Sequence, residues 1–232
     1  MPNQKFKDFY LDLDLDKIIT YFRNLFSALD FIHWKGIIHC DIKPENFICN
    51  IREKSYKLID FENSAELPNS SMENHIIGTY GYIAPEVLIL PSCNTVYRDM
   101  WSAGIILLSI LSGCYPFFNI NFLKYQKLSS NKRCTNMIGD SLIQMIVLFG
   151  IEDISNLAKK IGFTINIDEP DKYAKQNLKD LCKILRHSAN SIKTLHDNIF
   201  VDDSAIYNIM SELLNIDYSK RPSAYDVLKH LT

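Results

Sequence analysis

Residues 37–47 read "IIHCDIKPENF". Between Asp41 and Asn46 the stretch holds two acids, a lysine and an asparagine, flanked by the apolar pair Ile37–Ile38 and by Phe47. Cys40 stands just ahead of Asp41, where a further charged residue would suit the pattern. Polar groups crowded this way belong on a loop that carries chemistry, positioned by the elements on either side. Upstream, Ile18, Phe22, Leu25, Leu29 and Ile32 recur at three- and four-residue spacing, with Ile19, Phe26 and His33 widening the stripe. That periodicity predicts an amphipathic helix from Asp16 to His33 with a broad buried face, ended by Gly36. Short extended segments are expected at Ile37–Ile38, Phe47–Cys49 and Lys57–Ile59, separated by polar loops.

Beyond residue 86 the chain reads as almost entirely helical. Met100 to Leu111 is apolar on nearly all sides, the mark of a central buried helix. Further helices are expected at Leu142–Phe149, Ile154–Ile161 and Leu178–Arg186, with Gly150 and Gly162 as stops. Ala205–Leu214 follows Asp203, a good N-cap, and Ala224–Leu231 follows Ser223, with Asp226 placed to complete a capping box. No internal repeat or low-complexity tract interrupts this pattern.

The chain has 232 residues, 47% hydrophobic and 22% charged, with a formal net charge of −2. These are values of ordinary globular proteins, and they give no reason to expect a nucleic-acid surface. The basic group Lys124, Lys127, Lys132 and Arg133 reads as a solvated loop rather than a phosphate patch. Six cysteines, Cys40, Cys49, Cys93, Cys114, Cys134 and Cys182, form no C-x-x-C pair, so they read as reduced intracellular thiols. The N-terminus has no apolar signal core, and the run "MWSAGIILLSILSGCY" falls short of the ~18 apolar residues of a membrane span. The reading is of a soluble intracellular protein without membrane contact.

Phosphoryl transfer from ATP asks a protein for positioning and charge stabilisation more than for covalent chemistry. An acid must orient the attacking hydroxyl and accept its proton, a cation must offset charge on the transferred group, and oxygen ligands must hold Mg²⁺ against the phosphates. Asp41, Lys43 and Asn46 fit those three tasks in order. A second magnesium ligand should come from a nearby strand end, and "KLIDFE" supplies Asp60 directly after an apolar run.

At these residues the sequence resembles the protein kinase family. "HCDIKPEN" is similar to the family's catalytic loop, which implies Asp41 as catalytic base and Asn46 as magnesium ligand. "DFE" at 60–62 stands where the family has Asp-Phe-Gly, and "GTYGYIAPE" at 78–86 resembles the end of the activation segment. "DMWSAG" at 99–104 resembles the start of the buried central helix. "DYSKRPSA" at 217–224 resembles the closing arginine region, which implies that Arg221 pairs with Glu86. The resemblance further places His39 under the catalytic loop, Asp99 on that loop's backbone and Thr79 opposite the substrate hydroxyl. A narrower resemblance, carried mostly by "FGIEDISNLAKKIG", is to the cell-division-cycle-seven (Dbf-dependent) serine/threonine kinases that trigger replication origins. It implies protein substrates among replicative helicase subunits, a Dbf-type regulatory subunit and a nuclear location.

The fold class expected is therefore mainly α: a kinase-like C-terminal lobe with short strands around the catalytic loop. Residues 16–232 form that lobe, with the catalytic loop at 39–46, the activation segment at 60–86 and a subfamily-type insert at about 119–203. Residues 1–15 read as a remnant of the link between lobes. No G-x-G-x-x-G or V-A-I-K pattern occurs, and an upper lobe needs upward of ~50 residues, so that lobe is expected to be absent from the chain. A fragment, a lost lobe and a late-starting gene model all fit this. The competing reading is a kinase-derived binding module without turnover of its own. Two further departures are Cys40, in place of the family's arginine, and Glu62, in place of its glycine. Cys40 is expected to weaken control by a loop phosphate rather than the chemistry. Glu62 either joins the magnesium shell or only stiffens the turn. The aromatic group Tyr115, Phe117, Phe118, Phe122 and Tyr125 reads as core.

Overall fold

Asp14 starts the first helix by accepting the backbone N–H of Lys17 on its carboxylate at 2.8 Å, which satisfies one of the donors a helix start leaves open. In the computed structural model, which describes residues 14–50, 53–67, 75–112, 137–165, 178, 180–182 and 204–231, this helix is α1, Leu15–Trp34. Its buried face is Ile18, Tyr21, Phe22, Leu25, Phe26, Leu29 and Ile32; Tyr21 joins the expected stripe, while Ile19 and His33, expected to widen it, are only half-buried. Gly36 follows at φ 75, a left-handed value that favours glycine, and its N–H returns to the His33 carbonyl.

Four short strands then pair in two antiparallel ribbons. β1 (Ile37–Ile38) pairs with β4 (Ala65–Glu66), Ile38 opposite Ala65. β2 (Phe47–Asn50) pairs with β3 (Ser55–Leu58), Phe47 opposite Leu58. The third extended segment thus lies earlier than Lys57–Ile59. Ile59 has left the ladder, and its N–H goes to the Asn46 carbonyl at 2.9 Å. β4 carries no sequence signal of its own, since two residues are too few to show a period. The consequence for function is topological: the loop after β1 and the turn after β3 are brought to one end of the ribbons.

The helical half is built on α3, Tyr97–Ser112, in which every residue from Arg98 to Ser112 is buried. Serines in such a helix must satisfy their hydroxyls internally. Ser109 and Ser112 do so by donating to the Ile105 and Leu108 carbonyls at 2.8 and 2.6 Å. Ahead of it lies α2 (Pro85–Ile89), started by a proline whose missing N–H costs nothing at that position. Behind it come α4 (Met137–Phe149), α5 (Ile151–Lys160), α6 (Ser204–Leu213) and α7 (Ala224–His230). At Gly104 a Cβ would stand 2.9 Å from the Leu213 Cβ, so the missing side chain is what lets α3 and α6 approach. Trp101, fully buried, meets Phe149 edge-on at 5.2 Å. Each such fully buried large apolar side chain contributes ~1.5–3 kcal/mol.

At α7 the capping box forms as expected. Ser223 Oγ accepts the Asp226 N–H at 3.2 Å, and the Asp226 carboxylate accepts in return from the Ser223 hydroxyl at 2.6 Å and from the Ser223 backbone N–H. Leu178 and residues 180–182 are helical, as expected. Asp203, the remainder of the Leu178–Arg186 helix, the link at 1–13, the basic group and the aromatic group fall outside the described residues, as does most of the 119–203 insert. Among the described residues no helix is long and apolar enough to cross a membrane.

Candidate active site

The loop that follows β1 is held from below by one carboxylate. Asp99, in the first turn of α3 and 1% exposed, accepts the His39 backbone N–H on Oδ2 and the Cys40 N–H on Oδ1, each at 2.9 Å. The His33 Nε2 also donates to Oδ2 at 2.9 Å. Three donors onto one buried acid fix the loop's entry to the central helix, because leaving any of them unpaired would cost a full desolvation penalty. Cys40 sits there at φ 70, a strained value for a residue with a side chain. Its carbonyl lies so close to Gly78 that a Cβ on that glycine would come within 2.8 Å.

His39 is fully buried and not part of the exposed chemistry. Its Nε2 donates to the Ile59 carbonyl at 2.9 Å and its Nδ1 accepts the Asp41 N–H at 3.3 Å. The imidazole therefore links the 39–46 loop to the residue before Asp60, and its ring packs on Phe61 at 4.9 Å.

Asp41, 5% exposed, is the centre of the cluster. Lys43 Nζ donates to its Oδ2 at 2.8 Å, and the Thr79 hydroxyl donates to its Oδ1 at 2.6 Å. Lys43 also donates to the Thr79 hydroxyl at 2.8 Å, closing a triangle of three side chains. Burial alone would push the Asp41 carboxyl up. The Lys43 and Thr79 hydrogen bonds outweigh that effect and hold it below its ordinary value of 3.8. Asp41 is thus an ionised acceptor near neutral pH. The Thr79 hydroxyl displays what the pair can do with an alcohol: the carboxylate takes its proton and the ammonium takes its oxygen.

Asn46, 4% exposed, directs its amide nitrogen to the Asp41 carbonyl at 2.9 Å and to Asp41 Oδ2 at 3.3 Å. With the amide nitrogen turned to Asp41 in this way, Oδ1 is the atom available to a cation. Asp60 lies at the start of the turn after β3, exposed and at φ 66. Its neighbours Ile59 and Phe61 are both tied to the 39–46 loop, so Asp60 is placed at the same end of the ribbons. A carboxylate and an amide oxygen form a donor set suited to Mg²⁺, which completes its octahedron with phosphate and water. Among the described residues no three His, Cys, Asp or Glu side chains cluster as a dedicated metal cage. Glu62 is exposed in the following 3-10 turn, and its φ is not positive, so the turn does not use the backbone freedom glycine would add there.

Cys40 is 6% exposed, and burial pushes its thiol up to about 12, with nearby Arg98 opposing and Asp99 adding. A thiol in that state is not a nucleophile at neutral pH. Glu86 and Arg221 pair through two bonds of 2.7 and 2.8 Å with both side chains fully buried, tying the end of the 60–86 segment to the C-terminal helices. Sequence reading missed Arg98, a buried arginine beside this cluster. The sequence marks it with no signal, since an arginine next to Asp99 at a helix start reads as solvated.

The family model for the protein kinase domain matches residues 1–231. The chain is 28% identical to the Schizosaccharomyces pombe cell cycle protein kinase spo4 over 99% of its length, covering 60% of that protein. It is 27% identical to the cell cycle serine/threonine-protein kinase hsk1 of the same yeast over 97% of its length, covering 49% of that protein. It is 33% identical to the Arabidopsis thaliana CBL-interacting serine/threonine-protein kinase 18, but over 54% of its length and 25% of that protein. The chain thus spans at most 60% of the length of each of these three curated relatives.

Proposed function

The chain belongs to the protein kinase family, and on that premise we propose that it carries the substrate-side half of a serine/threonine kinase active site. The reaction is phosphoryl transfer from ATP to protein hydroxyls. Asp41 orients the incoming hydroxyl and accepts its proton; Lys43 offsets charge on the transferred group; Asn46 and Asp60 hold Mg²⁺. Bound magnesium would supply charge neutralisation at the phosphates. A carboxylate held below 3.8 is a weak base, which suits a loose transition state in which the hydroxyl proton leaves late.

The observation that carries the reading is the Asp41–Lys43–Thr79 triangle, in which a hydroxyl already occupies a two-point receptor. The test is phosphoryl transfer from Mg·ATP to serine and threonine peptides by the protein made from its complete reading frame. Asp41→Asn should lower kcat by about 10²–10⁴-fold, the span of general acid–base effects. Transfer that is independent of Asp41 would refute the assignment. No transfer with nucleotide still bound would make the chain a binding module instead.

We further assign it to the cell-division class. The two cell cycle kinases align along 99% and 97% of the chain, whereas the CBL-interacting kinases 18 of Arabidopsis thaliana and 12 of Oryza sativa align along 54% and 87%. With that class go a Dbf-type regulatory subunit, substrates among replicative helicase subunits and a nuclear location. Stimulation of peptide phosphorylation by a Dbf-type subunit, with none by a CBL protein, is the expected discrimination; the reverse result would overturn it.

A further inference from the structure

We propose that Arg98 is a positioning residue, a buried guanidinium that seats residues 77–79 against the catalytic loop and so holds the Thr79 hydroxyl between Asp41 and Lys43. Its catalytic consequence rests on the kinase reading; its structural consequence does not.

Arg98 lies in the first turn of α3 and is 4% exposed. A buried cation normally answers a carboxylate, because desolvating a charge is costly without one. Arg98 has no carboxylate partner among the described residues. Its Nη1 donates to the Asn94 side-chain oxygen at 2.9 Å and its Nη2 donates to the Ile77 carbonyl at 2.6 Å. Asn94 belongs to the loop leading into α3, whereas Ile77 is 21 residues away in the 60–86 segment. The long-range bond is thus made to backbone, where a charge serves geometry rather than charge pairing.

The surroundings show what that geometry controls. One turn along α3, Ser102 lies on the same face as Arg98 and donates to the Tyr82 carbonyl at 2.7 Å. The two bonds bracket Thr79, and the Tyr82 N–H closes the intervening turn on the Thr79 carbonyl at 3.0 Å. Inside the bracket, Gly78 adopts φ 122 and lies against the Cys40 carbonyl with no room for a Cβ. Residues 77–79 are therefore pressed onto the loop on one side and held by α3 on the other. Thr79, the next residue, meets Asp41 and Lys43. Cys40 and Arg98 lie together with Asp41 and Thr79 around a gap too small for water. A small thiol at position 40 leaves the guanidinium its place there, so the segment is seated by a cation built into α3 and needs no added anion to hold it.

The test uses the full protein and two readouts. Arg98→Met should accelerate amide hydrogen exchange at residues 76–80 about tenfold, the worth of one charge-assisted hydrogen bond, while amides of 105–111 keep the parent rate. Arg98→Lys, which keeps the charge and a single donor head, should give a smaller acceleration confined to the same residues. In the phosphotransfer assay kcat should fall about tenfold in Arg98→Met at unchanged KM for ATP. Unchanged exchange at 76–80 in both variants, or equal acceleration at 105–111, overturns the proposal. If Arg98→Met does not fold, Arg98→Lys decides by the same two criteria. Lack of Asp41-dependent transfer in the parent protein would count against the kinase reading alone, since the exchange readout stands without it.

Discussion

Replacing Arg221 by methionine isolates the most heavily committed buried charge among the described residues. All five guanidinium protons are used. Nε donates to the Asn215 carbonyl at 2.7 Å, and Nη1 donates to Glu86 Oε1 at 2.7 Å and to the Tyr97 carbonyl at 3.1 Å. Nη2 donates to Glu86 Oε2 at 2.8 Å and to the Ile216 carbonyl at 3.3 Å. The guanidinium also stacks over Trp101 at 4.9 Å. Methionine keeps the apolar stem and its packing but leaves the Glu86 carboxylate, 0% exposed, with no cation. Breaking a buried pair from one side costs ~3–5 kcal/mol. A loss of about 4 kcal/mol is roughly a thousandfold in the folding equilibrium and a large share of a total of ~5–15 kcal/mol. Urea unfolding followed by circular dichroism measures it, with the m-value expected to stay constant. Adding Glu86→Leu removes the stranded charge, so the double variant should recover most of the loss, to within ~2 kcal/mol of the parent. A cost below ~1 kcal/mol for Arg221→Met would refute the reasoning, as would a double variant that costs the sum of the two singles.

Three further outcomes are expected. Gly104→Ala should destabilise despite alanine's helix advantage of ~1 kcal/mol, because the new Cβ lies 2.9 Å from Leu213 Cβ and Leu214 Cδ2. Overpacking costs ~1–3 kcal/mol, so the melting temperature should fall by several degrees, and a rise would show that α3 and α6 can part freely. The Cys40 thiol, 6% exposed and pushed up to about 12, should resist iodoacetamide at pH 7.5 until the chain is unfolded; rapid labelling of Cys40 in the native protein would contradict its burial. Asp41 is held below 3.8 when folded, so its ionised form contributes stability above that pH, and the contribution is lost as pH falls through the lower folded value. The stability of the parent relative to Asp41→Asn should therefore be constant near neutrality and decline below pH ~3.8; a decline centred above pH 5 would reverse the sign of the shift.

Local pattern determined much of this molecule. The three- and four-residue spacing of apolar side chains between Ile18 and Ile32 specifies α1 and its buried face, because helical periodicity is a property of neighbours along the chain. Gly36 and Ser223 mark helix ends for equally local reasons, a left-handed backbone and a hydroxyl within reach of a free N–H. The crowding of Asp41, Lys43 and Asn46 was legible too, since all three lie on one short loop. Other features had no local signal. β4 is a strand through its pairing with β1, whose Ile37 lies opposite Glu66 and whose Ile38 lies opposite Ala65. Asn46 could be read as a ligand, but which of its side-chain atoms faces away from Asp41 depends on how the loop closes on itself.

The tertiary structure decided how the loop is completed. Thr79 joins Asp41 across 38 residues, Asp99 holds the loop from 59 and 60 residues away, and Arg98 reaches back 21 residues to seat the segment between. Nothing in the spacing of those residues announces the contacts. An arginine at the head of an apolar helix reads as solvated until packing removes the water around it. The sequence alone therefore determined which chemical groups the protein has and which helices carry them. Packing decided which groups meet, because burial is a property of the whole chain, and burial turned Asp99, Arg98 and the Glu86–Arg221 pair into fixed parts of the site's frame.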